Sequence, residues 1–240
     1  MLLWMATAVA AYFVKGLCGF ANTLVLTSVL AFRESNAVIT PVDLLLGCPA
    51  NALMAWRYRR EADWRVWLPM ALLMFAGIIP GAFFLKNLDS RTVKLIFGFV
   101  IILTGAEMLL RERRTKPGKD PRLLRYVIGV LSGVLCGLYG VGTLLAAYFS
   151  RTTADDRAYK GSMSVVFLLD NIFRIVLYAV TGVFTAGMLK RAALLLPCMG
   201  LGLFLGMKSA GRLNEKTVKR IVILMLIVSG VMLVITNIRR

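Results

Sequence analysis

The 240-residue chain contains no histidine. That removes the imidazole base, the His-ligated metal centre and the His-held haem together. Its four cysteines, Cys18, Cys48, Cys136 and Cys198, form no CxxC pair and all sit in apolar sequence, which fits small buried residues better than disulfides or metal ligands. No Walker-type phosphate loop occurs, so the chain has no device of its own for hydrolysing ATP. Acidic residues are scarce, 12 against 29 lysines and arginines, and only 17% of the chain is charged; soluble proteins carry about a quarter. No basic n-region precedes the first apolar run, so no cleavable leader is expected.

What the chain does have is apolar sequence. Hydrophobic residues make up 59% and mean hydropathy is +0.77. The apolar blocks cover 1–32, 36–56, 66–85, 92–110, 126–150, 160–184, 188–207 and 218–238. A helix needs about 20 such residues to cross a bilayer, and the runs are too long and too little alternating for strands. The expected fold is an all-α, multi-pass protein of the cell membrane. The net charge of +17 then reads as loop charge that orients the helices and draws anions to a pore mouth, not as a nucleic-acid surface.

The chain also says nearly the same thing twice. Gly16-Leu17-Cys18-Gly19-Phe20-Ala21-Asn22 returns as Gly137-Leu138-Tyr139-Gly140-Val141-Gly142-Thr143, and Leu88-Asp89-Ser90-Arg91-Thr92-Val93-Lys94 returns as Leu213-Asn214-Glu215-Lys216-Thr217-Val218-Lys219. Between the copies, residues 111–125 are charged and carry Pro117-Gly118 and Pro121, a turn-forming linker that lipid would not hold. The reading is two tandem membrane repeats, 1–110 and 126–240, each a glycine-broken first segment followed by three transmembrane helices. That first segment is either one kinked helix or a re-entrant hairpin. Eight full crossings would spread Lys and Arg almost evenly over the two sides; two hairpins would put most of them on one side, which the positive-inside rule favours. The hairpin reading also makes the repeats inverted.

These motifs carry a resemblance. With its two glycine motifs, the Thr-Val-Lys helix openers at 92–94 and 217–219, and the basic turn Arg57-Tyr58-Arg59-Arg60 leading to Asp63-Trp64, the chain resembles the TauE/SafE family of sulfite and organosulfur-anion transporters over nearly its whole length. The resemblance implies two homologous halves, each opening on a glycine-rich motif, and an anion as substrate. The chain departs from the family where a run of glycines and a proline often stand: Ala21, Asn22 and Thr23 occupy that place. Sulfite, sulfonates or related organic anions are the expected cargo.

Two readings of the glycines stay open. Small residues let membrane helices approach closely. Alternatively, Gly16, Gly19, Gly137, Gly140 and Gly142 free backbone N–H groups to form an anion nest at a half-helix N-terminus, with Asn22, Thr23 and Thr143 adding side-chain donors. Interrupted apolar segments at matching places in two halves point to the site of a secondary transporter. Arg174 lies near the middle of its block, where a charge costs about 3 kcal/mol or more and must face protein or water; Asp170, one turn earlier, neutralises it. Asn51 and Asn171 hold corresponding places in the two halves.

Asp170, Lys15 and Asp43 are the candidates for coupling. Lys15 either snorkels to an interface or meets substrate at a hairpin tip, and Asp43 is expected near a helix start, favoured by the dipole. Glu107 is expected to pair with Arg111, and Ser162 and Ser164 to cap a helix. Pro49, Pro80 and Pro197 should kink their helices. No cofactor, metal or catalytic residue is expected. The partners are a small anion, the bilayer and, as an open alternative to a monomer, a second copy of the chain. Two other functions are the alternatives: a membrane-embedded thiol enzyme or carrier using Cys18 or Cys136, for which no histidine is available as activating base, and a non-transporting assembly subunit.

Overall fold

The structure is a computed structural model that describes residues 1–30, 33–87, 122–139, 142–153 and 155–210, together with scattered positions between 95 and 109 and between 220 and 235, all of them helical. The duplicated turns at 88–94 and 213–219, the Glu107–Arg111 pair and residues 111–121 of the linker lie outside the described residues.

Among the described residues the protein is helical throughout, without strands. The first apolar block breaks where the glycine motif ends. Helix α1, Leu2–Cys18, stops on Gly19, which takes φ 84° and donates its N–H to the Lys15 carbonyl. This left-handed cap is cheap only for glycine. Helix α2, Asn22–Leu30, follows at once. Then come α3, Asn36–Arg57, and α4, Trp64–Asn87. In the second half α5, Arg122–Tyr139, and α6, Thr143–Thr152, repeat the broken pair. They are followed by α7, Asp156–Val180, and α8, Ala186–Ser209.

Helices α3, α4, α7 and α8 are long and apolar enough to cross a membrane. Pro41, Pro49, Pro69, Pro80 and Pro197 sit inside them; helices in lipid tolerate this where neighbours re-satisfy the freed backbone groups. Helix α7 starts earlier than the serines suggested. Asp155 caps it, accepting from the Ala158 N–H at 2.7 Å, while Ser164 lies two turns in and donates to its own helix at Lys160. Competition for capping goes to the carboxylate nearest the first free N–H groups.

Packing pairs elements that are far apart in sequence. Helix α1 lies along α8, α4 along α5, and α3 along α7. The two outer contacts use the same geometry. Gly202 of α8 approaches the Val9 carbonyl of α1 and Gly206 the Phe13 carbonyl; Gly77 of α4 approaches the Val130 carbonyl of α5 and Gly81 the Val134 carbonyl. A Cβ at any of the four would run into backbone. In lipid, where apolar contact between helices brings no hydrophobic gain, such backbone approach supplies the dispersion that holds helices together. Large apolar side chains such as Leu72, Val176 and Phe204 point outward, more than half exposed, as a lipid-facing belt requires.

Three contacts fix the path of the first block. Arg191, at the start of α8, sits over the Trp4 ring near the start of α1. The same guanidinium donates to Glu34, just beyond α2, at 3.1 Å. Leu26 and Leu30 share a core with Trp4 and Ala8. The chain therefore goes out along α1, turns at Gly19–Ala21 and comes back along α2 to the end where it began. In the second half α5 runs parallel to α4, while Gly161, early in α7, rests on Tyr58 and Ala62. So α5 and α6 leave from and return to the opposite end of the bundle.

Candidate functional site

The two breaks and the middles of α3 and α7 enclose one cavity. The cavity measures about 30 Å³, against about 10–15 Å³ for one water; a guest of a few heavy atoms fits. Its walls bring together many of the residues singled out from sequence: Lys15, Asn22, Thr23, Asn51, Gly142, Asn171, Arg174 and Asp43. Asp170 stands directly behind Arg174.

On the first-half side the polar groups form a chain. Lys15, 1% exposed, donates from Nζ to Asn22 Oδ1 at 3.0 Å. Asn22 Nδ2 donates to both Asp43 oxygens, at 3.0 and 3.2 Å. The Thr23 hydroxyl donates to Asp43 Oδ2, and the Tyr12 hydroxyl donates to Asp43 Oδ1 at 2.8 Å. Asp43 was expected near a helix start, favoured by the dipole. It lies two turns into α3, where its partners are side chains of the hairpin and not the helix dipole. Lys15 does not snorkel to an interface; its ammonium lies 5.7 Å from the centre of the Phe167 ring on α7, and most of its N–H capacity is uncommitted among the described residues.

On the other side Arg174 donates from Nε and Nη2 to Asp170 Oδ2, at 3.2 and 2.9 Å, and from Nη1 to the Cys136 carbonyl at 3.1 Å. Asp170 Oδ1 has no partner among the described residues. Between the two sides stand the paired asparagines. The Asn171 amide is oriented so that its oxygen accepts from Asn51 Nδ2 and from the Cys48 N–H, each at 3.0 Å, while its nitrogen donates to the Phe167 carbonyl at 3.3 Å. The opposite orientation would give up these three bonds and gain one, from Arg174 Nη2 at 3.3 Å. Asn51 Oδ1 has no partner among the described residues.

The glycines divide. Gly142 lines the cavity, and a Cβ on it would collide with the Phe167 ring. Gly19 is the left-handed cap, with the Lys160 stem against it. Gly16 lies away from the cavity, pressed on Leu203, Gly206 and Met207 of α8. Gly137 is buried in the last turn of α5. Gly140 and the side chain of Thr143 lie outside the described residues.

Sequence reasoning missed Tyr12, Phe167 and the conformation of Ala21, an alanine at φ 78° where left-handed backbone costs about 1–2 kcal/mol. Tyr12 carried a usable signal, being three residues before Lys15 and so on its helical face. Phe167 carried a similar one, a turn before Asn171.

The arrangement can do one thing well. It can set two cations, Lys15 and Arg174, beside a small anion, with Asp43 and Asp170 as nearby counter-charges. No group of three or more His, Cys, Asp or Glu residues that could hold a metal occurs among the described residues, and Cys18, Cys48, Cys136 and Cys198 form no disulfide.

Comparison with known proteins agrees with the sequence motifs. The family model described as "Sulfite exporter TauE/SafE" matches residues 4–233. A relative from Cupriavidus necator named "Probable sulfite/organosulfonate exporter TauE" is 24% identical over 180 residues, covering 73% of this chain and 70% of its own length. No solved structure matches.

Proposed function

This chain belongs to the sulfite exporter TauE/SafE family, a family of membrane transporters and not of enzymes, and from that premise we propose that it carries small sulfur oxyanions or organosulfonates out across the cell membrane. The observation that supports this most directly is the buried cavity at mid-bundle, where Lys15 and Arg174 face a space of a few heavy atoms. A buried cation in a membrane protein is expensive, and it persists where a substrate pathway uses it.

Two inverted repeats, 1–110 and 126–240 joined by 111–125, rock about this site. The matched glycine contacts of α1 with α8 and α5 with α4, and the return of each broken segment to its own end, support that architecture. The end carrying Arg57, Arg59, Arg60 and Arg157 is the cytoplasmic one by the positive-inside rule. Asn51 and Asn171, one from each repeat, orient the guest. Lys15 and Arg174 attract it, and Asp43 and Asp170 keep the attraction weak enough for release.

This charge balance makes the driving force testable. Lys15 and Arg174 are offset by Asp43 and Asp170, so a loaded site carries the anion's charge and flux moves charge across the membrane. Proteoliposomes loaded with sulfite should release it faster when a valinomycin–potassium gradient makes the interior negative, and slower with reversed polarity. Absence of protein-dependent flux of sulfite and of short sulfonates under both polarities would refute the transport reading.

A further inference from the structure

We propose that the Asp43 carboxylate is a built-in occupant of the first hairpin's anion cradle, and that a transported anion binds by taking the Asn22 and Thr23 side chains away from it. The inference rests on the transport reading above and adds a specificity-determining residue to it.

The argument begins with chemistry. A carboxylate is itself a small oxyanion, and this one, 4% exposed, collects donors as a substrate would. Tyr12, Asn22 and Thr23 all donate to it. Asn22 and Thr23 open α2, where the free N–H groups of the first turn add partial positive charge. Both line the cavity, as Asp43 does. The side chains best placed to receive an incoming anion are therefore already engaged by an internal one.

Lys15 makes the exchange orderly. It holds Asn22 Oδ1 at 3.0 Å, which turns the Asn22 N–H groups toward Asp43. An anion that draws the ammonium to itself frees the amide to turn. Tyr12 has a different part. Its hydroxyl donates to Asp43 Oδ1, yet it does not line the cavity. It remains with the carboxylate when Asn22 and Thr23 leave, so Asp43 is never stripped of every donor, which would be costly in a buried site. A neutral guest could not exchange in this way, because it offers nothing to Lys15 in return.

The test is titration of purified protein with sulfite and with a short sulfonate. Asp43→Asn keeps the shape and removes the competing charge, and should bind about ten-fold tighter or more, the factor one freed charge-assisted hydrogen bond is worth. Tyr12→Phe, which removes only the retained donor, should bind about ten-fold weaker. Adding Thr23→Val to Asp43→Asn should remove most of the gain, whereas simple charge repulsion predicts that the two changes add. If Asp43→Asn fails to accumulate, Tyr12→Phe decides the matter alone. Wild-type binding with Asp43→Asn unchanged or weaker, with Tyr12→Phe unchanged, or with additive Thr23→Val overturns the exchange and leaves transport standing. No anion binding by any of the proteins overturns both.

Discussion

The Arg174 guanidinium reaches from α7 to the Cys136 carbonyl, 3.1 Å away, near the break between α5 and α6. Cys136 holds the place in the second half that Lys15 holds in the first. A cation therefore meets each broken segment, but in one case it grows from the segment and in the other it arrives from a neighbouring helix. The two sides of the cavity are alike in charge and unlike in construction.

Arg174→Met should cost about 3–5 kcal/mol, because Asp170 is left buried without its partner. Replacing both residues, Arg174→Met with Asp170→Leu, should recover most of that stability while sulfite flux stays lost. Thermal unfolding and proteoliposome flux, measured on the same preparations, separate the two effects. Full flux in the double variant would remove Arg174 from the site.

The turn between α1 and α2 holds a glycine and an alanine in left-handed backbone, and the two should respond in opposite directions. Gly19→Ala adds about 1–2 kcal/mol of backbone strain and sets a methyl 3.0 Å from the Lys160 Cγ. Ala21→Gly relieves strain at φ 78°, offset by the larger freedom of glycine in the unfolded chain, for a net gain of up to about 1 kcal/mol. Melting temperatures should fall for the first and hold or rise for the second.

Helix contact and lipid contact can be told apart on one helix. Gly206 meets the Phe13 carbonyl of α1, whereas Gly200, a turn and a half earlier, has nothing within 4 Å among the described residues. Gly206→Leu should reduce stability by at least about 1–3 kcal/mol, as overpacking does, and Gly200→Leu should be nearly silent. Equal loss of folded protein on size-exclusion chromatography would contradict the α1–α8 contact.

The hairpin path predicts sidedness. In a background with the four native cysteines replaced by serine, Leu2→Cys, Ser35→Cys and Val183→Cys should react with an impermeant thiol reagent from one side of the membrane. Arg60→Cys and Arg157→Cys should react from the other. Labelling of positions 2 and 35 from opposite sides would turn α1 and α2 into a single crossing.

Particular residues show how far local sequence reaches. The break after Cys18 was legible because a glycine pair interrupts an apolar run. Asn51 and Asn171 were expected near corresponding places in the two halves, and they hydrogen-bond to each other. Asp43 was misread: nothing within one turn of it shows that Tyr12, Asn22 and Thr23 will converge on its carboxylate. Gly16 and Gly142 looked equivalent as motif glycines, yet one meets α8 and the other meets Phe167 and the cavity. Helix periodicity says which residues share a face, not which other face arrives opposite.

Composition and hydropathy alone settled that this protein lives in a membrane as helices. A backbone in lipid must satisfy its own N–H and C=O groups, and a run of apolar residues allows only one way to do so. The echo of the glycine motif and the position of Arg174 in mid-block were also plain from the residues. The pairing of each broken segment with a helix of the other half, and the meeting of Lys15, Asp43, Asn171 and Arg174 around one space, came from tertiary structure. These are contacts between residues far apart in the chain, chosen by shape and charge when helices pack, and no local pattern encodes them.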